Sequence, residues 1–113
     1  MKKQKLHYSE SELQRTIIAL LKYYHSVYVI RNNSFSGKII RPNGSTGYVQ
    51  NSKKGSPDLI LCKNGLWIGI ELKTEDGKQS PDQREAEKCI REAGGLYFIV
   101  RDVDEMEHIL NCI

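Results

Sequence analysis

The sequence lacks the features that define several protein classes. No apolar run approaches the ~20 residues of a membrane-spanning helix, and residues 1–5 lack the apolar stretch of a signal peptide. The three cysteines are an odd number without a CxxC pair, which predicts neither a disulfide framework nor a zinc knuckle. We therefore expect a protein without membrane contact, located in the reducing cytoplasm.

Proline is scarce, and no low-complexity stretch is present. The chain has 113 residues, of which 39% are hydrophobic and 27% are charged, with three prolines and nine glycines. This composition is typical of a globular protein and excludes disordered and collagen-like chains. Because the length is that of one ordinary domain, we expect residues 1–113 to form a single domain.

One long segment contains no acidic residue. Residues 30–57 contain five basic residues and no Asp or Glu, whereas the chain from Asp102 onward has four acidic residues and no Lys or Arg. A basic segment rich in Gly, Ser and Asn indicates contact with a polyanion such as DNA, and a solvated loop is the alternative reading. The candidate nucleic-acid-binding residues are Arg31, Lys38, Arg41, Lys53 and Lys54.

Apolar spacing and turn residues predict the elements and their order. The predicted helices cover residues 9–24, 80 or 82 to 93, and 103–113; the predicted strands cover 27–30, 38–40, 48–50, 58–62, 66–73 and 96–100. This order predicts an α/β fold, a small mixed β-sheet flanked by helices, with a basic flap or hairpin inserted. For Tyr28, Tyr48 and Trp67, packing in the core or at its rim is favoured over stacking on bases.

The most informative local signal is Asn64-Gly65, which lies between two apolar runs. Asn-Gly strongly favours a two-residue β-hairpin turn, because a type I′ turn requires positive φ at both central residues. With these two residues as the loop, Asp58 faces Glu71 across the ladder. Strand alternation places Lys73 on the same face as Glu71. The sequence therefore predicts that two carboxylates and one ammonium group meet on one patch.

Two directly opposed carboxylates repel each other unless a cation lies between them. A hard divalent cation with oxygen ligands removes this cost, and Mg²⁺ needs only one or two protein carboxylates. Such an ion supports phosphodiester hydrolysis, in which Lys73 orients water or stabilises charge on the phosphate oxygens. The sequence therefore predicts a metal-dependent hydrolytic site, with solvent-facing charges at strand ends as the alternative.

Two motifs resemble those of known nucleases. Gly55-Ser56-Pro57-Asp58 and Ile70-Glu71-Leu72-Lys73 match the Pro-Asp…Asp/Glu-x-Lys signature of the PD-(D/E)xK nuclease superfamily. The wider pattern resembles its VRR-NUC family, the virus-type replication–repair nucleases, over residues 9–110. It includes an acidic first helix with Leu13-Gln14, then Lys54-Gly55-Ser56-Pro57-Asp58, and Gly77-Lys78-Gln79-Ser80-Pro81-Asp82-Gln83.

The resemblance implies a restriction-endonuclease-like core and a metal-dependent DNA endonuclease. It implies that Asp58 and Glu71 bind Mg²⁺ or Mn²⁺, that the main-chain carbonyl of Leu72 completes the site, that Lys73 is the catalytic lysine, and that Gln83 is the active-site glutamine.

The family's first acidic ligand corresponds to Glu10 or Glu12. Glu10 shares the face of Leu13 and Ile17 that is turned toward the sheet, whereas Glu12 points sideways, so Glu10 is the preferred candidate and Glu12 the alternative. Either residue also suits the positive end of the helix dipole without binding a metal.

The resemblance further implies branched, Holliday-junction-like DNA as substrate, in phage or bacterial replication or repair, and a homodimer that cuts two strands. Junction, flap, nick and duplex substrates all stay open, as does the choice between Mg²⁺ and Mn²⁺. One alternative is a non-catalytic nucleic-acid-binding module of nuclease fold. Another is a protein–protein adaptor that uses the acidic C-terminal segment.

Overall fold

The elements are known from a computed structural model, which describes residues 7–24, 26–32, 36–50 and 53–113. Residues 1–6, on which the expectation about a signal peptide rests, lie outside the described residues. The described residues form a mixed α/β fold with a small mixed sheet and three helices, as predicted. The elements are α1 (Glu10–Leu21), β1 (Val27–Arg31), β2 (Ser36–Ile40), β3 (Thr46–Gln50), β4 (Leu59–Lys63), β5 (Leu66–Leu72), α2 (Pro81–Glu92), β6 (Leu96–Val100) and α3 (Val103–Cys112).

The main sheet has four strands in the order β1-β4-β5-β6. β4 is antiparallel to both β1 and β5, whereas β6 runs parallel to β5. A parallel pair needs a crossover connection, and α2 supplies it between β5 and β6. None of the helices in the described part of the chain is long and apolar enough to cross a membrane.

The hydrophobic core lies on one face of this sheet, beneath α1 and α3. α2 lies on the opposite face, where its side chains contact Glu71 and the strand β6. Alternation along β5 therefore turns its apolar residues toward the core and Glu71 toward α2. The core residues from the strands and helices are Leu13, Ile17, Leu21, Leu59, Leu61, Ile68, Ile70, Leu72, Val100, Met106 and Leu110.

The turn between β4 and β5 has the predicted geometry. Asn64 has φ 53° and Gly65 has φ 77°, as a type I′ turn requires. Lys63 pairs with Leu66 and Leu59 pairs with Ile70, which confirms the predicted register. The register, continued by one step, places Asp58 opposite Glu71.

The predicted strand ends at residues 58 and 73 are wrong by one residue each. β4 begins at Leu59 and β5 ends at Leu72. The reason is that the carboxylate of Asp58, rather than its backbone, accepts the hydrogen bond from the Leu72 N–H at 2.8 Å. Lys73 N instead donates to Val100 O on β6 at 3.1 Å.

The predicted helix over residues 9–24 is too long at its C-terminal end. α1 ends at Leu21, because the N–H groups of Tyr23 and Tyr24 bond three residues back, to Leu20 O and Leu21 O. Such bonds tighten and close a last turn. Ser9 caps α1 and Ser80 caps α2, which decides between the two predicted starts of α2 in favour of Ser80.

β2 and β3 form an antiparallel pair of their own, and the short strands predicted at 38–40 and 48–50 lie within it. Within the described residues, neither strand pairs with the four-stranded sheet. The radius of gyration is 16.2 Å, above the ~13 Å expected for a compact chain of this length. Tyr28 and Tyr48 are 69% and 68% exposed, so the expectation that they pack in the core or at its rim is wrong.

Two leucines on the core face of the β4–β5 hairpin should respond differently to the same substitution, because they differ in burial. Leu61 is fully buried, whereas Leu66, at the turn end of the paired strand, is 37% exposed. We expect Leu61→Ala to lower the free energy of unfolding by about 2–5 kcal/mol and Leu66→Ala by less than about 1 kcal/mol. Urea denaturation measures both, and equal losses would contradict the placement of the core away from the turn.

Candidate active site

Asp58 is held by the segment that precedes β4. The amide N–H of Asn32 donates to Asp58 O at 2.9 Å, and its side-chain Nδ2 donates to Ser56 Oγ at 2.8 Å and Pro57 O at 2.9 Å. Pro57 is buried against Gly69, where a Cβ atom would lie 2.8 Å from Pro57 Cγ. The backbone at Asp58 is therefore fixed from two sides.

Glu71 is buried on the α2 face, with 2% of its surface exposed. One carboxylate oxygen, Oε1, accepts a hydrogen bond from Gln83 Nε2 at 2.8 Å. The other, Oε2, is buried and has no hydrogen-bond partner among the described residues. Burial, and then the neighbouring charge of Asp58, raise the pKa of Glu71 from 4.5 to about 8.

Lys73 is close to this pair. Its Nζ lies 3.9 Å from Glu71 Oε1, and its side chain is 17% exposed. The positive charge of Lys73 acts to lower the pKa of Glu71, but burial and the Asp58 charge outweigh it. One ammonium group therefore does not compensate the two carboxylates.

The start of α2 orients Gln83. Ser80 and Gln83 form a capping box: Gln83 N donates to Ser80 Oγ at 3.2 Å, and Ser80 N donates to Gln83 Oε1 at 2.9 Å. With Oε1 accepting from the backbone, the amide directs its Nε2 at Glu71. Gly55, with φ +80°, lies so close to α2 that a Cβ atom would overlap the carbonyl oxygen of Asp82.

The donor set at this position fits a hard divalent cation. Asp58 and Glu71 supply carboxylate oxygens, one of which is buried without a partner among the described residues, and Leu72 O lies at the adjoining strand end. Within the same part of the chain, no group of three or more His, Cys, Asp or Glu side chains is arranged to hold a metal ion. A cation at this position would therefore take two side-chain ligands, with the backbone, water and a phosphate completing its shell.

The two candidate acids of α1 have different surroundings. Glu12 occupies the N3 position of a capping box with Ser9, and the Ser9 hydrogen bonds lower its pKa. Glu10 is exposed, and its charge is close enough to Glu71 to raise the pKa of Glu71. Glu10 does not join a three-ligand cluster among the described residues.

The five basic candidates lie in two regions. Arg31 ends β1, where it pairs with Leu59 beside Asp58 and donates to Gln14 Oε1 at 3.3 Å. Lys53 and Lys54 precede Asp58, and Lys54 Nζ lies 3.3 Å from Asp82 Oδ2. Lys38 and Arg41 lie on the β2–β3 hairpin, where Arg41 donates to Thr46 O at 2.9 Å.

Sequence reasoning missed the residues that support the site. Besides Asn32, Arg101 clamps the loop that follows Lys73, donating to Thr74 O at 2.8 Å and Gly77 O at 2.7 Å. Gln79 donates to Glu87 Oε1 at 3.0 Å and to Tyr97 OH at 3.2 Å, which joins the loop to α2 and β6. No local pattern signals Asn32 or Arg101. Gln79 lies within the motif of residues 77–83, but the motif assigns it no role.

In comparison with known proteins, no family model and no curated protein matches the chain. Function is therefore inferred from the geometry of the site and from the motifs that form it.

Glu71 should make the metal-free protein less stable as pH rises. Its pKa is about 8 in the fold and 4.5 otherwise, so between these values the folded chain keeps a proton that the unfolded chain has lost. The associated stability is fully present below pH 4.5 and is lost as pH rises through 8. We expect the free energy of unfolding in EDTA to fall across this window, and to fall less in Glu71→Gln.

Glu92→Gln, an exposed change at the C-terminal end of α2, is the control and should keep the wild-type slope. Added Mg²⁺ should raise the melting temperature of the wild type more at the alkaline end of the window, where the carboxylate is ionised. If the wild type and Glu71→Gln lost stability with pH at the same rate, the raised pKa of the buried Glu71 carboxyl group would be contradicted.

The close approach of Gly55 to α2 can be separated from backbone strain. Gly44 has nearly the same φ, +84°, but a Cβ atom there would meet nothing within 4 Å among the described residues, so Gly44→Ala should cost only about 1–2 kcal/mol of strain. Gly55→Ala adds a clash with Asp82 O, which displaces the start of α2 and moves Gln83 away from Glu71. We expect a larger loss of stability by urea denaturation and weaker Mg²⁺ binding by calorimetry; equal effects of both variants would refute this coupling.

Proposed function

We propose that this protein is a metal-dependent DNA endonuclease of the PD-(D/E)xK type, similar to the VRR-NUC nucleases. The observation that carries the proposal is the Asp58–Glu71 pair, in which a buried carboxylate oxygen lacks a partner among the described residues and the pKa of Glu71 is raised to about 8. Paired, desolvated carboxylates beside a lysine are typical of sites that bind a cation and a phosphate.

The order of elements supports a restriction-endonuclease-like core. A helix precedes three antiparallel strands, β1, β4 and β5, and a crossover helix leads to the parallel strand β6. The Pro-Asp motif leads into β4 and the Glu-x-Lys motif spans the end of β5, which supports this proposal. In this proposal, the β2–β3 hairpin is the basic flap.

Each site residue has a distinct role in the proposed reaction. Asp58, Glu71 and the Leu72 carbonyl would hold the cation, and Glu10 would add negative charge from α1. A bound Mg²⁺ or Mn²⁺ would polarise the phosphodiester and lower the pKa of a coordinated water. Lys73 orients the attacking water and stabilises the negative charge that develops on the phosphate oxygens. Gln83 fixes the orientation of the Glu71 carboxylate, because its Nε2 donates a hydrogen bond to Glu71 Oε1.

The basic residues bind the DNA backbone without reading its sequence. Arg31, Lys53 and Lys54 border the segment that carries Asp58, and Lys38 and Arg41 extend the positive surface along the hairpin. We propose branched DNA, such as a four-way junction, as the preferred substrate. A chain with one site cuts one strand at a time, so paired cuts require a homodimer.

Cleavage of labelled four-way, flapped and linear DNA tests the proposal. We expect Mg²⁺- or Mn²⁺-dependent cutting that EDTA abolishes. Asp58→Asn and Lys73→Ala should each lower the rate by about 10²–10³-fold with DNA affinity largely retained. Asp58→Asn keeps an oxygen that can accept from Leu72 N, so its fold should survive.

Glu92→Gln, an exposed change at the C-terminal end of α2 and outside the carboxylate pair, is the activity control. Salt-sensitive binding without cutting by the wild type, with either metal, would favour the non-catalytic binding module instead. Absence of DNA affinity would favour the adaptor.

The phosphate-binding residues should affect all DNA sequences alike. We expect Arg31→Ala to weaken binding uniformly and to reduce the slope of log K against log salt by roughly one unit. Lys22→Ala, an exposed change at the C-terminal end of α1 and away from Glu10, should leave both the affinity and the salt slope unchanged. Fluorescence anisotropy over a salt series measures them, and a sequence-dependent loss at Arg31 would contradict a backbone contact.

A further inference from the structure

Half of the α2 face of the sheet carries exposed apolar side chains. Val27 and Val29 pack on the core, so alternation turns Tyr28 and Ile30 to the opposite face, where they are 69% and 46% exposed. In the register, Tyr28 lies beside Cys62 and Cys62 beside Trp67, which is 41% exposed. α2 contacts β6 at the far edge of this face, so the β1–β4 half lacks a helix above it in the described chain.

A groove of about 300 Å³ lies between this surface and α2. Its walls are mainly apolar and include Pro57, Ile60, Trp67, Ala86 and Ile90, with Cys89 beside them. The rim is charged. Lys54 pairs with Asp82 at 3.3 Å, and Glu85 lies one helical turn further along α2.

The β2–β3 hairpin carries the complementary features. Ile40 and Tyr48 are 81% and 68% exposed, and because Lys38 pairs with Tyr48, all three side chains share one face of the hairpin. Residues 36–50 contain two basic residues and no acidic one. An isolated two-stranded hairpin is only marginally stable in water, so this hairpin gains from a surface to pack against.

We propose that the Ile40–Tyr48 face of the hairpin docks in this groove on a second copy of the chain. The groove has the volume of one or two large side chains, and Glu85 on its rim attracts the cation of Lys38. Each copy carries one hairpin and one groove, so a twofold exchange forms the contact twice and closes the assembly. The proposal gives a contact surface to the homodimer of the proposed function, but it depends on these two surfaces and not on catalysis.

Disulfide trapping tests the contact directly. Ile40→Cys is made in a background with Cys62→Ser and Cys112→Ser, which leaves Cys89 in the groove as the native partner. Upon mild oxidation we expect a covalent dimer on non-reducing gels, with the new thiol joined to Cys89 of the other copy. Tyr23→Cys in the same background is the control for random collision, since Tyr23 is 82% exposed and lies outside the hairpin.

Two trapping results would overturn the proposal. One is a disulfide formed within a single chain, which would place the hairpin in its own groove. The other is a dimer yield no higher than that of the Tyr23→Cys control, or one unchanged when Cys89 is also replaced by serine.

Sedimentation analysis supplies the measurement that needs no new thiol. We expect the wild type to form dimers and Ile40→Ser with Tyr48→Ser to weaken dimerisation by at least about tenfold, with unchanged circular dichroism. Tyr23→Ser should dimerise as the wild type does. A monomeric wild type, or dimers that persist in the double variant, would overturn the proposal.

These results are separable from the proposed nuclease activity. Asp58→Asn should dimerise normally while losing cleavage, so a failed cleavage assay leaves the docking test intact. If the double variant stays dimeric but binds DNA more weakly, the Ile40–Tyr48 face contacts DNA rather than a second copy, and the docking proposal is wrong.

Discussion

The structure depends on one unfavourable juxtaposition, two carboxylates held together where water reaches only one of them. Asp58 and Glu71 occupy opposed positions at the open end of a hairpin, and Glu71 is buried with one oxygen unpaired among the described residues. A protein that needed only a stable sheet would gain by replacing either acid. Three supports hold the two carboxyl groups in place: Asn32, Gly69 beneath Pro57, and the Ser80–Gln83 cap.

Strand alternation places the residues that stabilise the core and the residue of the site on opposite faces of β5. Ile70 and Leu72 of β5 face the core beneath α1 and α3, while Glu71 between them faces α2. The core therefore fixes the backbone of the site without contacting its polar atoms. On the other side, α2 contributes one amide, and Arg101 ties down the loop that leaves Lys73. The site is thus built on rigid elements, and its lysine lies on the segment that directly follows β5.

Local signals in the sequence predict the parts of the site whose positions follow from the turn and from the strand register. Asn64-Gly65 fixes the loop length, and the loop length places Asp58 opposite Glu71. The strand ends were misplaced because a side-chain carboxylate replaces a backbone acceptor at Leu72, which no propensity encodes.

Contacts distant in sequence could not be predicted. Asn32 and Ser56 are separated by 24 positions, and Arg101 and Thr74 by 27, so these contacts exist only once the sheet has formed. The choice between Glu10 and Glu12 is an intermediate case. Ser9 followed by Glu12 is a capping-box pattern, a local signal for the engagement of the Glu12 side chain that the argument from helix faces did not use. The proposed docking surfaces could not be predicted either, because aromatic residues such as Tyr28 and Tyr48 were expected to pack in the core or at its rim.

The Glu71 oxygen that has no partner among the described residues bears on how much of this protein accumulates in a cell. A ligand that binds only the native state raises its stability by mass action. On the proposed function, the supply of divalent cation then sets the fraction of chains that open, and opened chains are the ones that proteases degrade. The abundance of this protein would then follow the cation content of its compartment, because chains without a bound cation would open and be degraded more often.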